Sequence, residues 1–344
     1  MDFISKIRLP GLSKGSYKTI GWLLLGIVGT YLLISLFFMW WWDYEPEFFD
    51  VVSQSESRAE AKGESVVTGY VTTSTVAELM ETLLEKRGGF LSNDVFPAGA
   101  WMDNVPNWEF GVLVQIRDFG RALRIDFSRS QSQSNEDPDL SEAEGKFFYD
   151  NTSWVFPQSE SEYRQGIEHL EGYLTRLSQE DTPDAQFYAR ADNLRNWLEG
   201  VSTRLGGLSQ RLSESVGKRQ LNLAVAGDPN AQVATDIPEE QIIKTPWTKI
   251  DDVFYESRGQ AWALIHLLKA VEHDFEYVLR DKNALVSLRQ IIRDLEETQS
   301  TVWSPAILNG GGFGLWANHS LAMAAYISRV NAALIDLRLL LTQG

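Results

Sequence analysis

Three carboxylates, Asp94, Asp103 and Glu109, lie in one short stretch with Phe90, Trp101 and Trp108 and the turn formers Pro97, Gly99 and Pro106. Glycoside hydrolysis asks a chain for little more than two carboxyl groups at a set separation, one of them held neutral. The segment GGFLSNDVFPAGAWMDNVPNWEFG, residues 88 to 111, is therefore where chemistry is sought first. An acidic chain supplies such pairs without using them. Aromatic bulk outside a helix otherwise plugs a core or forms a binding face. As a partner or ligand face the stretch would use Asp94, Trp101, Asp103, Trp108 and Glu109, and no residue is assigned as catalytic.

Other chemical strings fail on context. Gly11-Leu12-Ser13-Lys14-Gly15 matches a nucleophile elbow, but it lies in a basic tail without the strand and helix that such a turn joins. Ser215-Val216-Gly217-Lys218 matches S-x-x-K without the companion S-D-N and K-T-G elements, and reads as a helix end. The glycines of NGGGFGLWANHS, 309 to 320, could cradle phosphate only after a strand, and what precedes them reads as a helix end and a turn. His319 falls on an apolar seam and reads as a hydrogen-bonded core histidine. His266 and His273, seven apart with Glu276 beyond, read as a solvated face, too sparse for a metal. No metal site and no cofactor is expected.

What positions these residues is first of all a membrane. IGWLLLGIVGTYLLISLFFMWWW, residues 20 to 42, holds no charge and as a helix would be about 34 Å long, enough for a bilayer core. Lys6, Arg8, Lys14 and Lys18 precede it against Asp2 alone, and Asp43, Glu45, Glu47 and Asp50 follow it. The positive-inside bias predicts a cytoplasmic N-terminus and an exported C-terminal portion. Trp40, Trp41, Trp42 and Tyr44 suit the outer headgroup layer, and no small-residue cleavage site follows. After residue 19 come 27 basic and 46 acidic residues, a surface that repels phosphate backbones and excludes nucleic acid as a partner. Cysteine is absent, so thiol chemistry, disulfides and Cys-based zinc sites are excluded.

The remainder reads as mainly α: an N-terminal transmembrane helix followed by an elongated helical bundle with heptad-type seams. Residues 1–19 form a cytoplasmic tail, 20–42 the span, 43–63 an acidic tether, 64–157 a smaller helical region with the aromatic loop, and 158–344 the bundle. TTSTVAELMETLLEKRGG offers Ser/Thr caps and a terminal glycine pair. Phe110 to Phe127 is predicted helical from apolar spacings of three and four. Seams recur at Tyr163–Leu177, Phe187–Val216, Ile250–Val278, Leu285–Val302 and Trp316–Leu340. Such faces must be covered, within the chain or by a coiled-coil partner. Gly26 and Thr30 in the span hint at close approach of two copies.

MDNVPNWEFGVLVQIRD, FSRSQSQS, FYARADNL and LSQRLSESVG together resemble an uncharacterised family of bacterial envelope proteins with one N-terminal span, found mainly in gammaproteobacteria. The resemblance implies an inner-membrane location and carries no activity. The reading is a bitopic envelope scaffold whose partners are the membrane and either envelope proteins or further copies of itself. The alternatives are a cell-wall hydrolase using the 88 to 111 carboxylates and a carrier of lipid between helices.

Overall fold

A computed structural model of the chain describes residues 14–129, 136–179, 185–221, 240–304, 306–311 and 315–343. Among them are eleven α-helices and one two-stranded ribbon. The first helix, α1 (Lys14–Trp42), contains the uncharged run and is long and apolar enough to cross a membrane. Most of its side chains are open, as expected of a helix whose solvent is lipid. Ser35 is the exception and is buried.

Residues 43–50 form neither helix nor strand, and α2 (Val51–Lys62) follows, its first turn capped by the Asp50 carboxylate accepting from the Val52 and Ser53 amides. The stretch read as a tether therefore consists of a strap and a helix, both lying on the domain. Next comes α3 (Tyr70–Glu85), whose Ser/Thr run does not cap it. Thr72, Thr73, Ser74 and Thr75 are buried inside the helix. Its start is capped from elsewhere: the Thr72 amide donates to Asp274 at 2.8 Å, and its hydroxyl donates to the same carboxylate.

The centre of the molecule is the crossing of α4 (Asn104–Ala122) with α8 (Ile250–Asp274). Two glycines meet there. A Cβ on Gly111 would stand 2.1 Å from the Glu256 carbonyl oxygen, and one on Gly259 would stand 2.0 Å from that of Trp108. The helices thus touch backbone to backbone, which side chains would prevent. Between residues 256 and 268 every α8 side chain is buried, so this helix is a central rod rather than a one-sided seam. His266 is fully buried within it, which corrects its reading as part of a solvated face.

Around this crossing, α5 (Pro138–Phe147) pairs with α6 (Ser159–Leu177), and α3 lies on both α6 and α8. On the other side α7 (Ala191–Ser213) pairs with α11 (His319–Thr342), while α9 (Glu276–Asp281) and α10 (Leu285–Glu296) close the far end. Strands β1 (Lys218–Leu221) and β2 (Glu240–Ile243) form the antiparallel ribbon. One apolar cluster runs from Val76 on α3 through Phe119, Leu198 and Leu264 to Leu341. The seams are covered within the chain. On α11 the buried positions are Ser320, Met323, Ala324, Ile327, Val330, Leu334, Leu337 and Leu341, whereas Trp316, assigned to that seam, is exposed.

The glycine crossing has a measurable signature. Gly259→Ala is expected to lower unfolding stability by about 1–3 kcal/mol through overpacking. Gly207→Ala on α7, where an added Cβ meets nothing within 4 Å, should raise it by up to about 1 kcal/mol from helix propensity. Urea unfolding of the detergent-solubilised chain followed by circular dichroism separates the two.

Candidate functional site

Glu109 sits on α4 two residues before Gly111, and the crossing with α8 leaves its side chain fully buried. A buried carboxylate must be paired and fully hydrogen-bonded. Lys86 Nζ lies 2.6 Å from Oε1, and the Leu91 and Ser92 amides each donate at 2.8 Å, joined by the Ser92 hydroxyl at 2.5 Å. Lys86 also donates to the Gly89 carbonyl at 2.5 Å. Together these bonds fix the turn after α3, where Gly88 and Gly89 hold φ of +86° and +70°. The chemical task of Glu109 is thus to tie a loop to a helix.

That turn faces the C-terminal end of α1. The Arg87 guanidinium stacks over Tyr44 at 4.1 Å and Trp41 at 4.7 Å. A Cβ on Gly88 would lie 2.8 Å from the Trp42 ring. The other residues of the stretch separate around it. Trp108 is buried against Trp262, ring centroids 5.1 Å apart. Trp101 is half exposed, and Asp103 precedes α4, accepting from the Asn104 amide at 3.0 Å. The Asp94 carboxyl lies against Gly99, where a Cβ would meet its Oδ2 at 1.9 Å. Burial, then the nearby Glu109 and Glu160, pushes its pKa up. The structure therefore gathers Asp94 and Glu109 near one another, while Trp108 and Trp101 face the core and the surface respectively.

A second set of bonds fixes the strap. Arg258, directly before Gly259, is buried and grips Glu45 through Nε to Oε1 at 2.8 Å and Nη2 to Oε2 at 2.6 Å. Its Nη1 donates to the Thr298 and Ser300 carbonyls at 3.1 and 2.9 Å. Two turns along α8, His266 Nε2 accepts from the Phe49 amide at 3.2 Å and Nδ1 donates to the Trp262 carbonyl at 2.8 Å. These bonds require the neutral ring, and burial pushes its pKa down to about 4. Phe49 stacks on it at 4.1 Å. Asp43, beside Glu45 and Asp103, has its pKa raised, first by burial and then by those charges.

A trough of about 890 Å³ lies between α4 and α7 with α8 beneath. Arg204 crosses it to Asp118 with two bonds of 2.9 Å. Its floor is a polar chain: Gln115 donates to Gln260 at 3.2 Å, Gln260 to Glu256 at 3.0 Å, and Arg211 to Glu256 at 2.8 Å. Trp197 lines it, and its buried Nε1 has no hydrogen-bond partner among the described residues. This trough was not foreseen from the sequence. Its signal is the row Asn196, Gly200, Thr203, Gly207 and Gln210, small or polar at spacings of four and three on the face of α7 opposite its leucines.

The remaining motifs are local structure. Ser215 is buried in a short 3-10 turn, and Lys218 opens β1. Gly11, Leu12 and Ser13 lie outside the described residues, as do 312–314 of the glycine-rich run. His319 Nδ1 accepts from the Leu308 amide at 3.1 Å, and burial lowers its pKa. Among the described residues no three His, Asp or Glu side chains are grouped to hold a metal.

A family model described as an uncharacterized protein conserved in bacteria (DUF2333) matches residues 15–344. No curated protein and no solved structure matches the chain.

Two outcomes test this geometry. Glu109→Ala, which strands Lys86 in the core, is expected to cost about 3–5 kcal/mol, and the double change Lys86→Met with Glu109→Leu much less, read by urea unfolding. For His266 the sign is that of a depressed base: its contribution is complete above pH 6.5 and declines as pH falls toward about 4. Wild type should lose up to about 3 kcal/mol across that window relative to His266→Gln, measured as the difference between their urea midpoints at each pH.

Proposed function

The chain belongs to the bacterial family DUF2333, and on that premise we propose that it is a bitopic inner-membrane scaffold that holds a partner-binding helical domain at a fixed position relative to the lipid. Lys6, Arg8, Lys14 and Lys18 before the span and the acidic residues after it support a cytoplasmic N-terminus and a periplasmic domain. The observation that carries the reading is the docked strap. Glu45 on Arg258, Phe49 on His266 and the turn at Arg87 and Gly88 join membrane helix and domain into one body. A domain meant to swing on a leash would have no use for a buried arginine gripping its first residues. A scaffold gains from it, because the position of its binding face relative to the bilayer is then set.

The trough between α4 and α7 is the face offered to envelope proteins. Its rim carries both signs, Asp118, Arg121, Arg204 and Glu199, over an apolar wall of Val114, Trp197 and Leu208. That composition suits a protein segment better than a nucleic acid or a sugar chain. A photoreactive amino acid placed at Thr203 or Ile125 in the trough should give discrete crosslinked products in whole cells, whereas one at Tyr277 on α9 should not. Identical patterns at the three positions would overturn the assignment of the trough. Release of the strap by Arg258→Ala should weaken the products without abolishing membrane insertion.

A further inference from the structure

Two loops of this domain share a tripeptide and a location. Val95-Phe96-Pro97 and Val155-Phe156-Pro157 sit in uncharged runs, VFPAGAWM at 95–102 and NTSWVFPQS at 151–159. Phe96 is 70% exposed and Phe156 97%, with Val95, Trp101, Trp154 and Val155 exposed around them. The loops brace each other: Phe96 meets Trp154 edge to face with centroids 6.5 Å apart, and Asn93 Nδ2 donates to the Ser153 carbonyl at 2.9 Å. Single exposed apolar side chains are ordinary, but six on one lobe form a patch that calls for a cover.

The cover is indicated by where the lobe lies. Tyr31, in the middle of α1, donates its hydroxyl to the Pro97 carbonyl at 3.2 Å. Tyr31 precedes Trp42 by eleven residues, about 16 Å along a helix axis. If Trp42 marks the headgroup layer, Pro97 lies well within the hydrocarbon of the adjoining leaflet. Backbone at that depth must have its polar groups satisfied by protein. In the first loop three carbonyls are: those of Phe96, Ala98 and Gly99 accept from the Ala100, Trp101 and Met102 amides at 3.0, 3.0 and 2.9 Å. Pro97 has no amide to satisfy, and its carbonyl has Tyr31. In the second loop the Val155 and Pro157 carbonyls accept from the Ser153 hydroxyl at 3.2 and 2.9 Å. Asp94, the exposed charge at the edge of the lobe, lays its carboxyl against Gly99.

We infer that the paired loops around Phe96 and Phe156 are inserted among the acyl chains of the leaflet that α1 leaves at Trp42, so that the domain is half-sunk in the membrane and not merely tethered to it. The inference rests on α1 spanning a bilayer. The chain has no cysteine, so single-cysteine variants of the full chain carry a nitroxide label at one place only. Labels at Phe96→Cys, Phe156→Cys, Leu33→Cys in α1 and Tyr277→Cys on α9 are compared in dioleoylphosphatidylcholine nanodiscs, by relaxation with oxygen and with a water-soluble nickel chelate. All four side chains are largely exposed, so the fold should survive each change. Positions 96 and 156 are expected to match 33, accessible to oxygen and shielded from nickel, with 277 the reverse. Lipid exposure at 33 with aqueous exposure at 96 and 156 would overturn the inference alone. Shielding of 96 and 156 from both reagents would overturn it in favour of a protein cover. Aqueous exposure at 33 would overturn the spanning helix and the inference with it.

Discussion

The contact on which the structure hangs is that of two backbones at Gly111 and Gly259. Close approach there brings the α4 and α8 main chains together, and the charged residues that matter are spaced from it by less than a turn. Glu109 lies two positions before one glycine; Glu256 and Arg258 lie three and one before the other. Bringing the helices together sinks all three side chains, and a sunk charge must find a partner or cost several kcal/mol. Each partner belongs to a different part of the chain. Lys86 brings the turn against α1, Glu45 brings the strap, and Arg211 brings α7 to the floor of the trough.

One packing event therefore organises both the contacts with α1 and the floor of the trough. Among the described residues α1 places no side chain in the apolar core; it meets the domain through polar and aromatic contacts at its C-terminal end and through the Tyr31 hydroxyl. The contacts that hold the strap include a buried histidine whose pKa burial lowers, and its bond to the strap requires the neutral ring. Acid would favour the charged imidazolium, which cannot accept from the Phe49 amide.

Much of the helical architecture was legible in the sequence because amphipathic periodicity reports burial directly. The seams on α6, α7 and α10 coincide with buried residues such as Tyr163, Leu198 and Leu288. On α11 the legibility failed in part. That helix is apolar on several sides, so residues three and four apart define more than one stripe, and only α7 and α10 packing against it select Ile327 and Leu334 over Tyr326 and Ala333. His266 was misplaced for a related reason: its helix is buried all round, and a polar residue on such a helix looks like a solvent face until its neighbours are known. The Ser/Thr start of α3 misled because its cap, Asp274, is 202 residues away.

The sequence by itself determined what depends on composition and local period: a helix long and apolar enough to cross a membrane, the charge asymmetry about it, the absence of thiol chemistry, and a chain of helices that must cover one another. It singled out Asp94, Asp103, Glu109, Trp101 and Trp108 as notable without separating their roles. Only the tertiary structure decided that Glu109 is a sealed tie to Lys86, that Trp108 is core, that the acidic stretch after the span is docked on Arg258 and His266, and that two distant Val-Phe-Pro loops stand side by side. Those outcomes turn on contacts between residues 20 to more than 200 positions apart, where burial sets the strength of a charge, and no local pattern carries that information.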